Sequence, residues 1–140
     1  MIKFVVHVIA VIFTTLCLSS VSWSEEDEAA AAPKVQYFDL EPPFVTNFGQ
    51  STSKLKYIKA SVAIRASGMA GVTAVQEHEP AVRHEIVMLL SSLTEESISS
   101  GGGQEAIRQD ALSRVQAVLE EKTGASQIDD LLFTSFVVQR

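Results

Sequence analysis

Between residues 80 and 93, apolar and polar positions recur with the period of an α-helix. The apolar positions are spaced i, i+4, i+7, i+8 and i+11, which places them in one stripe on a helix of about 3.6 residues per turn. Arg83, His84 and Glu85 fall largely outside this stripe, so we expect them to face water or a partner. The stripe needs an apolar surface opposite it, and the flanking segments predict that this surface is a sheet. The stripe consists of Val82, Ile86, Leu89, Leu90 and Leu93.

Three segments have the pattern of β-strands. The clearest is Leu55–Ser67, in which apolar and polar residues alternate. Val35–Phe48 also alternates, but Pro42-Pro43 cannot donate to a strand ladder and predicts an edge or a kink. Asp130–Val138 is apolar on both faces, which favours a place inside the sheet rather than at a free edge.

Two helices are predicted between the second and third strands. The first carries the apolar stripe and should begin within Val72–Glu79. Proline is tolerated in a first turn but kinks a helix interior, so Pro80 requires either a start near Glu79 or a bend there. The second helix is predicted over Gln104–Thr123 and ends at Gly124.

A glycine run, Gly101–Gly103, lies between the two predicted helices. No Lys-Ser/Thr follows it and no strand leads directly into it, so a phosphate loop is disfavoured and a flexible hinge or helix spacer is predicted. The order extended–strand–helix–helix–strand predicts the α+β class. We expect one α/β sandwich domain over residues 35–140, a small antiparallel-type sheet packed on two helices.

The N-terminal part has a different pattern. Phe4–Leu18 is an apolar run of 15 residues, and about 20 are needed to span a bilayer. Lys3 precedes the run and an acidic cluster follows it, which predicts that the chain beyond residue 24 is exported. Segment 1–24 fits both a membrane anchor and a signal peptide cleaved after Ser22-Trp23-Ser24. Residues 25–34 are low in complexity and predict a flexible linker.

Charge and cysteine content exclude several function classes. The chain has 11 basic and 17 acidic residues, a net charge of −6, and no Lys/Arg-rich run, so no nucleic-acid partner is expected. Cys17 is the single cysteine, which excludes an internal disulfide and a cysteine-based zinc site. His78 and His84 are six residues apart, a poor spacing for joint metal binding on a helix. Without a hydrolase or dinucleotide motif, we predict a non-enzymatic protein with no cofactor and no metal.

Four groups of residues follow one another along the predicted exported part. They are Tyr37-x-x-Leu40-x-x-Pro43-Phe44-x-x-Asn47, Tyr57-Ile58, Val82-Arg83-x-x-Ile86-Val87-x-Leu89-Leu90-Ser91, and Phe133-Thr134-x-Phe136-Val137-Val138-Gln139. Each group alone is loose, but their order and spacing resemble the FliL family of flagellar basal-body-associated proteins. The resemblance runs from about Tyr37 to Arg140.

The resemblance implies a single-pass inner-membrane protein whose periplasmic domain has a stomatin/prohibitin-like fold. It also implies association with the MotA/MotB stator, self-association into rings, and a role in motility and chemotaxis. The apolar segment also looks like a signal peptide, which puts a permanent membrane anchor in question. A variant of the FliL hypothesis is therefore a soluble periplasmic paralogue. Two other hypotheses stay open: a periplasmic stomatin-like scaffold unrelated to motility, and a ligand-binding or enzymatic domain, which requires a deep pocket with converging polar groups.

Without an active site, exposed helix faces and strand edges are the surfaces left for function. We expect Arg83 and His84, together with Phe44 and Phe48, to lie at or near a subunit or stator contact. Pro42-Pro43 disrupts the strand ladder, and in one interpretation this leaves Phe44 or Phe48 partly uncovered for a partner. In the other interpretation both rings cap the core.

Overall fold

The part of the chain that the structure describes forms three strands and four helices. The computed structural model describes residues 34–49 and 55–140. The predicted export segment 1–24, and the predicted linker 25–34 except its last residue, lie outside these ranges. Among the described residues, no helix is both long and apolar enough to cross a membrane. The elements are β1 (Val35–Asn47), β2 (Tyr57–Ser67), α1 (Met69–Glu77), α2 (Glu79–Ser92), α3 (Glu95–Ser99), α4 (Gly103–Thr123) and β3 (Ile128–Gln139).

The strands form one antiparallel sheet with β2 in the centre, which confirms the predicted α+β class. β3 is therefore an edge strand of the described sheet, and the prediction that it lies inside the sheet is wrong. One face of β3 is buried under the helices, as at Leu131, while Val137 on the other face is 51% exposed. β3 is thus apolar on both faces because one face packs in the core and the other is an exposed apolar face. It does not lie between two neighbouring strands.

β1 is the opposite edge, and its register shifts between Leu40 and Phe44, across Pro42-Pro43. A proline has no N–H to donate, so an interruption of the ladder is expected at this point. The predicted edge or kink is confirmed. Both halves of β1 nevertheless continue along the same neighbour, β2.

The predicted first helix is two helices, α1 and α2, separated at His78. Pro80 lies in the first turn of α2, where the missing N–H has no helical acceptor to lose. The start near Glu79 is therefore confirmed. The additional helix α1 begins at Met69, earlier than predicted, directly after Gly68 at the end of β2.

The segment before α4 contains a short helix that was not predicted, α3, while Gly101 and Gly102 form the turn between α3 and α4, as expected of a helix spacer. Thr94 and Ser97 cap α3 reciprocally: the Ser97 N–H donates to Thr94 Oγ1 (3.2 Å) and the Thr94 N–H donates to Ser97 Oγ (3.0 Å). Gly103 is buried and begins α4, and a Cβ at this position would collide with the carbonyl oxygen of Ser97. Here the glycine allows a close approach of backbone to backbone.

The core lies between the inner face of the sheet and the helices. All five residues of the predicted α2 stripe are buried, which confirms the stripe. α4 contributes a second row at helical spacing, and β2 contributes its alternate residues from Ile58 to Ala66. The α4 row consists of Ile107, Ala111, Val115 and Leu119.

Candidate interaction surface

Arg83 does not point freely into solvent; it ties α2 to the bulge of β1. Its Nη2 donates a hydrogen bond of 2.7 Å to the Pro42 carbonyl oxygen. Its guanidinium carbon lies 4.3 Å from the centroid of the Phe44 ring, a cation–π contact. Its Nη1 lies 3.8 Å from Glu79 Oε1, too long for a hydrogen bond, and this side chain is only 24% exposed. The expectation that Arg83 faces water is therefore met only in part, because its guanidinium contacts β1. Its position at a partner contact stays a prediction.

Phe44 and Phe48 are core residues. They are 1% and 4% exposed, so the interpretation in which both rings cap the core is confirmed and the partly uncovered ring is wrong. Because β1 packs against α2, the inward positions of β1 on both sides of the bulge are covered. Neither ring can touch a partner without a rearrangement of the core.

His84 is the member of the predicted site that is exposed. It shares the outward side of α2 with Val87, Met88 and Ser91, at the helical spacing i, i+3, i+4 and i+7. We call these four residues the α2 patch. Met88 is 51% exposed and Val87 is 37% exposed. The signal for this patch was present in the sequence, because these two apolar residues lie outside the buried stripe.

A second exposed apolar surface covers the side of the sheet that faces away from the helices. In the strand register, Lys59 of β2 lies between Val45 of β1 and Val137 of β3. Val45 is 65% exposed, and Tyr37, beside Arg65 in the register, is 61% exposed. We call this surface the open sheet face. It was missed from the sequence because only the strand order shows that the apolar outward positions of β1 and β3 lie on either side of β2.

A cluster of charged side chains lies on α4 and β3. The Glu105 carboxylate accepts hydrogen bonds from Arg108 Nη2 (2.5 Å) and Nε (2.7 Å), and from Gln109 Nε2 (2.9 Å). The Arg108 guanidinium, and secondly Gln109, lower the pKa of Glu105 to about 2. Arg108 also donates to Asp130 of β3, and the hydrogen bonding that Arg108 donates to Glu105 is the main reason that the pKa of Arg108 is raised. The cluster joins the first turns of α4 to β3.

Within residues 34–49 and 55–140, no group of three or more His, Cys, Asp or Glu side chains is arranged to hold a metal ion. His78 lies at the junction of α1 and α2, and His84 lies on the exposed side of α2. The structure therefore does not bring the two histidines together as a pair of ligands on one face.

The surfaces described above belong to a domain that a family model covers almost end to end. The model described as "Flagellar basal body-associated protein FliL" matches residues 37–139. The chain belongs to the FliL family. A protein named "Flagellar protein FliL" from Aquifex aeolicus (strain VF5) is 28% identical over 114 residues, covering 77% of this chain and 68% of that protein.

Membership of the FliL family makes this chain a flagellar basal-body-associated protein, and it confirms the resemblance drawn from the four residue groups. FliL proteins are structural or accessory proteins of the flagellum and are not a known enzyme family, in agreement with the predicted non-enzymatic role. Association with a basal body also fits a location close to the membrane. The matched range contains the whole α2 patch and nearly all of the sheet.

Proposed function

We propose that this FliL-family protein supports the MotA/MotB stator of the flagellar motor, and so swimming and swarming, through a ring-forming periplasmic domain. The match to the FliL family over residues 37–139 is the observation that carries this proposal. The described domain has exposed surfaces for binding, and the proposed role requires no catalytic residues.

The distribution of exposed apolar residues supports assembly. The α2 patch lies on the helical side of the domain, and the open sheet face lies on the opposite side of the sheet. Subunits in a ring contact one another head to tail, which requires two different surfaces on each subunit. The α2 patch and the open sheet face are two such surfaces.

Only one of the four residues predicted at a subunit or stator contact belongs to these two surfaces. His84 stays in the proposed contact as part of the α2 patch, with Val87 and Met88 as neighbours. Phe44 and Arg83 act indirectly, because they fix the position of α2 on β1. Phe48 supports the core beneath the site.

The proposed location is the inner membrane, with a single span and a periplasmic C-terminal domain, or the periplasm if the N-terminal segment is cleaved. The apolar run Phe4–Leu18 and the predicted linker support this topology. Mass spectrometry of the native protein tests it: an intact N-terminus is expected in the membrane fraction, or a start at Glu25 in the periplasmic fraction. Intact protein in the cytosol contradicts both versions.

The alternative of a scaffold unrelated to motility is disfavoured, because the family and the named relative are both flagellar. The deciding experiment deletes the gene and measures swimming in soft agar and in viscous medium. We expect reduced swimming, with a larger loss in viscous medium, and recovery when the wild-type gene is restored. Electron microscopy of filaments separates a weak motor from a missing filament. A deletion strain that swims like its parent in both media contradicts the proposal.

A further inference from the structure

A groove runs along the outer side of the domain between β3 and the first turns of α4. It consists of two adjoining cavities of about 510 and 310 Å³ that share Gln104 and Glu105. We call it the β3 groove. It is also lined by Arg108, Ser100, Gly102 and Gly103. The remaining lining residues are apolar: Ile98, Leu132, Phe133, Phe136 and Val138.

The floor of this groove is an edge strand. β3 pairs with β2 on one side, and within the described residues no strand pairs with its other side. An edge strand presents unpaired backbone N–H and C=O groups, to which another extended chain can add. From Leu132 to Val138, β3 contains no proline that would interrupt such a ladder, and within this range its register with β2 shifts once, at Thr134.

The wall of the groove has an excess of negative charge. Arg108 is paired with two carboxylates at once, Glu105 of α4 and Asp130 of β3. One guanidinium against two carboxylates leaves a net charge of −1. Glu105 lines both cavities, so this excess lies where they meet. A cationic side chain in the groove is therefore favoured over an anionic one.

We propose that the β3 groove binds an extended segment of a partner protein by strand addition. The segment has apolar side chains at alternate positions and a Lys or Arg that lies against Glu105. At about 3.3 Å per residue, six or seven residues cover β3 from Leu132 to Val138. The inference does not depend on the stator proposal.

A second copy of this chain is a poorer occupant of the groove. Within the described residues, a second copy would offer two free strand edges. β1 is interrupted at Pro42-Pro43 and so gives no continuous ladder, and β3 carries the same excess of negative charge as the groove, so two β3 edges would repel each other. The inward side chains of β1, such as Leu40 and Phe44, are buried in their own core and cannot enter the groove. The occupant must offer a continuous ladder and side chains that are free to enter the groove. A partner segment that is extended and exposed before binding satisfies both requirements.

Three fluorescein-labelled octapeptides test this inference against the full-length protein in nanodiscs, with empty nanodiscs as the blank. The first alternates Val and Thr around a central Lys; the second has Glu in place of Lys. The third has the sequence of the first, with the amides on one edge methylated so that they cannot donate to a ladder. By fluorescence anisotropy we expect the first to bind, the second to bind roughly three- to tenfold more weakly, and the third to lose binding.

Variants of the protein locate the binding. Glu105→Gln should reduce the preference for the Lys peptide over the Glu peptide to less than about twofold. Asp110→Asn is the matched control, because Asp110 pairs with Arg114 on the same helix but does not line the groove. Circular dichroism checks that each variant is folded. Failure of the first peptide to bind, equal binding of the methylated peptide, or an unchanged preference in Glu105→Gln overturns the inference and leaves the stator proposal untouched.

Discussion

Arg83 covers the ring of Phe44, with its guanidinium carbon 4.3 Å from the ring centroid, while its Nη2 holds the Pro42 carbonyl at 2.7 Å. Two residues that the sequence grouped as one contact site are therefore joined inside the domain. The pair closes the core at the bulge of β1, where proline interrupts the ladder. We expect Arg83 to act on stability first and on partner binding only through α2.

Replacement of Arg83 by Ala should lower the free energy of unfolding by about 1–3 kcal/mol. The loss has two sources: a charge-assisted hydrogen bond of about 1.5–3 kcal/mol and a cation–π contact of about 0.5–2 kcal/mol, which do not add fully. His84→Ala is the matched control on the neighbouring residue, and its effect should stay within about 0.5 kcal/mol. Urea unfolding of both variants measures the difference. Equal stability of the two would show that the Arg83 contacts do not hold β1 to α2.

The glycine run offers two substitutions with opposite expected signs. In Gly103→Ala the new methyl group meets the backbone of Ser97 and the Ser100 hydroxyl oxygen at 2.7 Å, so the junction of α3 and α4 must shift. We expect a loss of about 1–3 kcal/mol. Gly101→Ala meets nothing within 4 Å, and Gly101 does not have a positive φ. It should gain about 0.4–1 kcal/mol by restricting the unfolded chain.

Thermal unfolding of Gly101→Ala and Gly103→Ala, each compared with the wild type, measures whether each substitution stabilises or destabilises the domain. If both glycines simply form a flexible spacer, as the sequence alone predicts, the two alanines should have similar and small effects. A loss confined to Gly103→Ala supports the close approach of α4 to α3. Two similar values would contradict it.

Periodicity predicted the parts of this fold that depend on one element at a time. The buried stripe of α2 and the alternation of β2 both follow from the spacing of apolar residues, and both are confirmed. The end of α4 was predicted as well, because a glycine after a helix commonly adopts the left-handed conformation that closes it. Gly124 has this conformation. These features are local, so the sequence carries them without reference to the rest of the chain.

Features that depend on which elements meet were not predicted. The edge position of β3 follows from strand order, and Val137 is apolar on an open face rather than between two strands. Arg83 lies beside the buried stripe of α2, and only the approach of Pro42 from β1 turns it into a core-closing residue. Of the four residues of the predicted contact site, only His84 is therefore exposed, and a contact at this site stays a prediction.

The ion pair of Glu105 and Arg108 should make stability depend on pH in the acid range. The pKa of Glu105 is lowered from its ordinary 4.5 to about 2 in the folded protein. A lowered pKa in the folded state means that the unfolded state binds more protons between these values. The stability that Glu105 contributes is therefore fully present above about pH 4.5 and is lost as the pH falls towards 2.

Glu105→Gln should weaken the acid dependence of the unfolding free energy between pH 4.5 and pH 2. Arg108→Gln should raise the pKa of Glu105 towards its ordinary value, and the double variant should show no further loss of the Glu105 contribution. Urea unfolding at several pH values and NMR titration of the Glu105 side-chain carboxyl measure both effects. A Glu105 that titrates near 4.5 in the folded wild-type protein would contradict the proposed pairing in solution.

The α2 patch should affect motility without affecting the fold. In His84→Glu and Met88→Asp an exposed side chain becomes anionic on the outward side of α2, so unfolding free energies should stay within about 0.5 kcal/mol of the wild type. Binding of an apolar partner surface should be weakened, because the charge must be desolvated in the contact. We expect reduced swimming, most clearly in viscous medium, for strains that carry either variant at wild-type protein levels.

Ser113→Glu is the matched control for these two variants, because it places the same charge on an exposed position of a different helix, α4, which contributes no residue to the patch. This strain should swim like the wild type. Arg83→Glu is unsuitable for the comparison, since a loss of motility in that variant is also expected from the lost contacts to Pro42 and Phe44. Normal swimming of both His84→Glu and Met88→Asp in viscous medium would move the contact off α2 and make the open sheet face, around Lys59, the next surface to mutate.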